Sequence, residues 1–402
     1  MSYLKRLRIN LCLLFATIII FAGVAEVGLI ILKVNTKSNI QFVPGKGSTH
    51  VPHAFYRHTK EGFSEGYFNS HGFRDYERTH SKPENSFRIL VLGDSYTEAL
   101  HVPLEHSFPA LLEKYLNERI GGTRFEVLNL GQSGFGTADA YMRFSNFGVH
   151  YSPDLVLLAF LTGNDFRNNS KVLNKENIAF YFNINENGEL VLDSTAFDEY
   201  QKNLTFPKRI FQWIKRRSYL ASLISERIFL LKQEYRESQF KADFENNLPK
   251  DDKKKLDEFS GLNIYLSHPS SHWQEAFEIT MGLLIKLREL VETQGRKFVL
   301  VTLSNAEQVH PFVQAKVEKA YPNLFDFDRP DRLLEEFAKD KGIEMLKLLP
   351  EFQKHHRLTG RNLHGFNTQG RGHWNDAGHQ LAAEKIFEFL IDNHMVPSAP
   401  HS

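Results

Sequence analysis

Four short polar segments of this chain carry groups that could work together chemically. Ser95 follows the apolar run 89–92, Gly134 follows 125–130, and Asn164 follows 155–161. His373 lies in a Gly- and His-rich loop, 360–374, just before the last apolar-periodic segment. A hydroxyl, an accessible backbone N–H, a side-chain amide and an imidazole are the groups that acyl transfer requires. The hydroxyl must lose its proton as it attacks, and an imidazole titrates in the range to take it. The tetrahedral oxyanion needs preorganised donors, each worth about 2.7–4 kcal/mol of transition-state stabilisation. A turn made of Gly, Asp and Ser is the simpler reading of 93–95 taken alone.

These groups can meet only if the intervening elements bring them to one place. The continuous apolar runs suit strands buried on both faces, at about 88–92, 125–130, 155–161, 297–303 and 343–348. Helical periodicity separates them, at about 106–120, 137–148, 273–293 and 330–341, with a last helix at about 376–393. Strand and helix alternation predicts an α/β chain with a parallel sheet, whose strand-end loops gather at one edge, where such sheets bind ligands. Between 170 and 272 the alternation lapses into an insertion. Asn187-Gly188, inside 179–192, predicts a hairpin. Phe206 to Lys232 is aromatic and basic, and either lies on an anionic membrane surface or packs as a helix on the catalytic domain. Residues 241–258 are highly charged and read as a solvated loop or helix, 33–64 as a linker, and 67–74 as a strand end and turn with no assigned chemistry.

Four blocks, in order, resemble the SGNH (GDSL) hydrolase family. Gly93-Asp94-Ser95 resembles the nucleophile block, and 129–134 (Asn-Leu-Gly-Gln-Ser-Gly) the second block. Gly163-Asn164-Asp165 resembles the third, and His373-Trp374-Asn375-Asp376-Ala377-Gly378-His379 the last. The resemblance covers roughly 65–395 outside the insertion. It implies a flavodoxin-like three-layer α/β/α sandwich and ester hydrolysis or acyl transfer. It also implies Ser95 as nucleophile, His373 as general base and acid, and Ser95 N–H, Gly134 N–H and Asn164 as oxyanion donors. No cofactor and no metal are implied. The elbow of classical α/β-hydrolases is not matched, because Tyr96-Thr97 follows Ser95. Two departures stand out. Thr162 occupies the place of a usual glycine, and Gly370 the place of the aspartate that usually precedes the histidine by three residues. A backbone carbonyl, or a carboxylate from elsewhere, must orient His373, or activity is low.

Asp376 and His379 have the spacing of the missing pair and are the alternative. On a helix from 376, however, His379 lines up with Ala382 and Ile386, which predicts a packed structural histidine. Asp376 then reads as a favourable charge at the helix N-terminus. His364 and His355-His356 suggest no metal site, since no ligand motif accompanies them.

The 402 residues carry net charge +1, which gives no electrostatic case for nucleic acid. The lone Cys12 excludes an intramolecular disulfide and a cysteine metal site. Residues 1–10 carry Lys5, Arg6 and Arg8, and 11–32 is apolar and long enough to cross a bilayer, with a cytoplasmic N-terminus expected. A cleaved signal peptide ending near Gly23-Val24-Ala25 is the competing reading. Either way, the chain from about 35 onward, with its tail at 396–402, is expected outside the cytoplasm. The expectation is therefore a single-pass protein of a bacterial-type inner membrane, with a periplasmic catalytic domain acting on an O-acyl ester of an envelope glycan or lipid. The missing aspartate motivates a second reading, a catalytically weak or silent SGNH-like envelope component; an acyltransferase in glycan modification is a further alternative.

Overall fold

The computed structural model describes residues 3–32, 34, 39–43, 45–174, 179–193, 195, 202, 204–225, 227–228, 231–232, 261–366 and 370–397. The charged stretch 241–258 lies outside them. The described residues divide into two compact units, one within 1–39, 55–57 and 201–252, the other within 40–54, 58–200 and 253–402.

The larger unit is built on five parallel strands: β1 (Ser86–Gly93), β2 (Arg124–Asn129), β3 (Leu155–Leu161), β4 (Lys297–Leu303) and β5 (Met345–Lys347). Their order across the sheet is β5-β4-β3-β1-β2, the doubly wound order of flavodoxin-like folds. The central strands β1, β3 and β4 carry apolar side chains on both sides because both sides are covered. Ile89, Val91, Leu155, Leu157, Val299 and Val301 face one core layer, with α1 (Phe108–Arg119), α5 (Leu349–Thr359) and α6 (Asp376–Asp392) packed over it. Leu90, Leu92, Val156, Leu158, Phe298 and Leu300 face the other, under α2 (Thr137–Asn146), α3 (Ser271–Glu292) and α4 (Arg329–Lys341). This alternation follows from the two-residue period of a strand.

Several element boundaries differ from the sequence reading. The helix expected from 106 begins at Phe108, after a separate turn of 3₁₀ helix at Leu104–His106, and β5 is shorter than expected. Residues 33–64 are not a plain linker. They hold an antiparallel pair, Ile40–Val43 with Gly47–His50, and contribute to the site described below. Met395 and Val396 belong to the core, so the folded chain continues past 395. The hairpin at 179–192 is present, as Tyr181–Ile184 paired with Leu190–Asp193.

In the smaller unit, the helix Tyr3–Ile31 contains a span, Lys5–Ile31, long and apolar enough to cross a membrane. The basic, aromatic segment begins as a helix, Phe206–Arg217, whose apolar side chains remain exposed.

Candidate active site

Order reverses between β1 and β3, so a crevice opens beyond their C-terminal ends. β1 ends at Gly93, and Asp94 caps the four-residue helix Ser95–Glu98 by accepting the Tyr96 N–H at 2.9 Å. This turns the half-buried Ser95 into the crevice mouth. His373 stands just before α6, whose start is fixed by Asn375: its side chain accepts the Gly378 N–H at 3.2 Å. His373 Nε2 lies 2.8 Å from Ser95 Oγ.

The orienting carboxylate comes from Glu61. Its Oε2 is 2.6 Å from His373 Nδ1, and its Oε1 accepts the His373 backbone N–H, also at 2.6 Å. Nδ1–H therefore donates to Glu61, leaving Nε2 to accept the Ser95 hydroxyl proton. Two glycines make this approach possible. Gly372, at φ +107°, has Glu61 Oε1 only 1.7 Å from where a Cβ would stand. Gly62, at φ +65°, would place a Cβ 2.1 Å from the His101 carbonyl oxygen. A side chain at either position would displace the carboxylate or its turn. Burial works to raise the Glu61 carboxyl, but its hydrogen bonds with His373 and the charge of that ring prevail and hold it below the usual glutamate range. Tyr96 Oη donates to the Gly372 carbonyl at 3.2 Å and pins the loop.

The remaining candidates surround the Ser95 loop. Among the described residues, neither the Ser95 N–H nor the Gly134 N–H has a hydrogen-bond acceptor, so both are free to donate. Gly134 is exposed, and the residue before it is held from beneath: buried Glu98 accepts the Ser133 N–H at 2.9 Å and is paired with His50 and the Ser133 hydroxyl. Burial tends to raise the Glu98 carboxyl, and the His50 charge and hydrogen bond reverse this and lower it. Asn129 ties the same loop to the short helix Ser95–Glu98, donating to the Thr97 carbonyl at 2.7 Å. The Asn164 amide donates to Asp94 Oδ2 at 3.2 Å, which leaves its second N–H for a ligand. Burial pushes the Asp94 carboxyl up to about 6. Thr162, in place of the usual glycine, is fully buried and bonds Gln308 and Asn305, each at 3.2 Å.

Asp376 and His379 do not form a pair. Asp376 is exposed and bonds His106 Nδ1 at 2.5 Å. His379 is fully buried, accepts the Phe108 N–H on Nδ1 at 3.3 Å, and has Nε2 2.9 Å from His101 Nε2. Nδ1 is thus an acceptor, so Nε2 carries the proton and donates to His101. Burial lowers both rings well below the usual histidine value, so both are neutral. His373→Ala is accordingly expected to abolish activity in a protein that still folds. His379→Ala should keep the reacting groups but cost about 1–3 kcal/mol of stability, because it strands two buried polar groups. Turnover and thermal midpoints of the two variants check this, and the reverse pair of phenotypes would make His379 the base. His364 donates its Nε2–H to the Ser304 carbonyl at 3.0 Å and His356 its Nδ1–H to the Arg361 carbonyl at 3.1 Å, and no group of metal-ligating side chains occurs among the described residues.

Sequence reasoning missed Glu61, Glu98 and His50. Glu61 and His50 lie in the stretch read as a linker, which carried no local signal for either.

No protein-family model matches the chain. It is 37% identical over 73 residues to an arylesterase of Vibrio mimicus, covering 18% of this chain and 36% of that protein. The chain thus spans about a third of the curated relative it matches. Among solved structures it is similar to the acetyl xylan esterase AlAXEase, at 14% identity and a TM-score of 0.39, covering 75% of this chain and 98% of that one. It is also similar to TesA, at 14% identity and a TM-score of 0.35, covering 75% and 97%.

Proposed function

We propose that this chain is a membrane-anchored serine hydrolase of the SGNH type, acting on an O-acyl ester of a cell-envelope glycan or lipid. The observation that carries the reading is the hydrogen-bonded line from Glu61 through His373 to Ser95 Oγ. Ser95 Oγ attacks the ester carbonyl as His373 Nε2 takes its proton, and the Glu61 carboxylate stabilises the imidazolium. The Ser95 N–H, the Gly134 N–H and the free N–H of Asn164 receive the oxyanion. His373 then protonates the leaving alcohol, and water, or the hydroxyl of a sugar, releases the acyl group from Ser95 by the same steps reversed. The partial match to an arylesterase agrees with ester chemistry. The N-terminal span supplies the anchor, and its basic leading residues favour a periplasmic site. The silent alternative rested on Gly370, and the Glu61 carboxylate beside His373 supports the active reading instead.

Full-length protein in detergent should turn over p-nitrophenyl acetate, and no turnover of this or any acylated glycan or lipid would overturn the reading. Asn164→Ala should lower kcat by roughly 10²–10³ with KM little changed, as for a donor used only in the transition state. A rise in KM alone would make Asn164 a substrate-binding residue.

A further inference from the structure

The smaller unit carries a surface that the ester chemistry does not use. Glu26 lies in the N-terminal helix, near its end at Ile31. Its carboxylate accepts three hydrogen bonds from another part of the chain: the Ser218 hydroxyl at 2.8 Å, the Tyr219 N–H at 2.8 Å and the Leu220 N–H at 2.9 Å. At 1.5 Å per residue, Glu26 sits about 8 Å inside the end of the apolar helix. A carboxylate at that depth needs such donors. The three bonds therefore fix residues 218–220 at the level where the span meets its boundary.

Ser218 immediately follows the helix Phe206–Arg217. At 100° per residue, Phe206, Ile210, Phe211, Trp213 and Ile214 share one arc of roughly 160°. Lys208, Arg209 and Lys215 take the opposite arc, the last residue, Arg217, falls on the apolar arc with its guanidinium 4.4 Å from the Trp213 ring centroid, and the helix has no acidic residue. The apolar arc is uncovered: Phe206 is 75% and Trp213 57% exposed. Helices with one aromatic and aliphatic face and one Lys/Arg face seat the apolar face about 5–10 Å into the boundary between headgroups and acyl chains. That is the depth at which Glu26 holds the adjoining residues.

We propose that Phe206–Arg217 is a membrane-surface helix, its apolar arc in the leaflet reached by the Ile31 end of the N-terminal helix and its basic arc on anionic lipid headgroups. The proposal rests on the anchor reading above. The exposed arc, the absence of acidic side chains and the tie to Glu26 all select a lipid surface as the occupant.

Trp213 makes the test direct. Of the three tryptophans, Trp273 and Trp374 are buried, at 1% and 0% exposure. The full-length chain would be reconstituted into phosphatidylcholine vesicles with and without phosphatidylglycerol, with the acyl chains brominated to quench nearby indoles. The expected result is strong quenching with phosphatidylglycerol present, lost in Trp213→Phe and reduced in Lys208→Glu/Arg209→Glu/Lys215→Glu. Flotation of the vesicles after a carbonate wash reports the anchor separately. Protein that floats with Trp213 unquenched overturns the surface helix and leaves the anchor standing. Quenching equal with and without phosphatidylglycerol overturns the anionic-headgroup assignment. Protein that fails to float overturns the anchor, and the surface helix with it.

Discussion

Ser95→Ala is expected to lower ester turnover by about 10⁴–10⁶ in kcat, the scale of losing the nucleophile of a residue triad that acts as a unit. The Ser95 side chain makes one hydrogen bond among the described residues, to His373 Nε2, and it is only half-buried. Its removal therefore leaves no buried group stranded, and the thermal midpoint should move by only a few degrees, as is usual for partly exposed positions. Circular dichroism melts beside p-nitrophenyl acetate turnover separate the two effects. Activity within tenfold of the unmodified protein would remove Ser95 from the chemistry.

Glu61→Gln should lower kcat by roughly 10³–10⁴, with KM little changed. Glu61 accepts from two donors on the same residue, the His373 backbone N–H and Nδ1–H. Glutamine offers one oxygen and one NH₂ group in the same space. One of the two donors must then face another donor, and the ring loses either its tautomer or its position. Glu61→Asp keeps the charge but falls short by a methylene and should recover part of the rate. There is a pH signature as well. The folded-state pKa of Glu61 lies below its ordinary value, so its ionised form stabilises the fold above the ordinary glutamate range. That contribution fades as pH falls through the lowered value. The thermal midpoints of wild type and Glu61→Gln should therefore differ at neutral pH and converge on acidification. A constant gap across that range would show that the carboxylate charge is not what the fold uses.

The sheet was legible because its central strands are covered on both faces. Leu155–Leu161 is buried at every position, and a run without a single polar residue has few other places to go. Ser95, Asn164 and His373 were legible for a related reason: each interrupts such a run or precedes a helix start, where polar residues have local causes that can be read. Glu61 had none. Its partner is 312 residues away, and its own stretch holds only four-residue strands with too little apolar pattern to register. What orders that stretch is tertiary: His50 reaches Glu98 and stacks on Phe68, with ring centroids 3.8 Å apart. The vacancy at Gly370 said that a carboxylate had to come from elsewhere, and spacing alone could not say from where. Gly372 is intelligible only once Glu61 is seen filling the space beside it.

The most direct measurement of the central claim is the rate and site of labelling by a fluorophosphonate, read by peptide mass. The account predicts one phosphonylated residue, Ser95, with labelling slowed by about three orders of magnitude in both His373→Ala and Glu61→Gln, because both act on the same proton. Labelling at another residue, or Glu61→Gln reacting at the wild-type rate, would contradict a triad completed by Glu61.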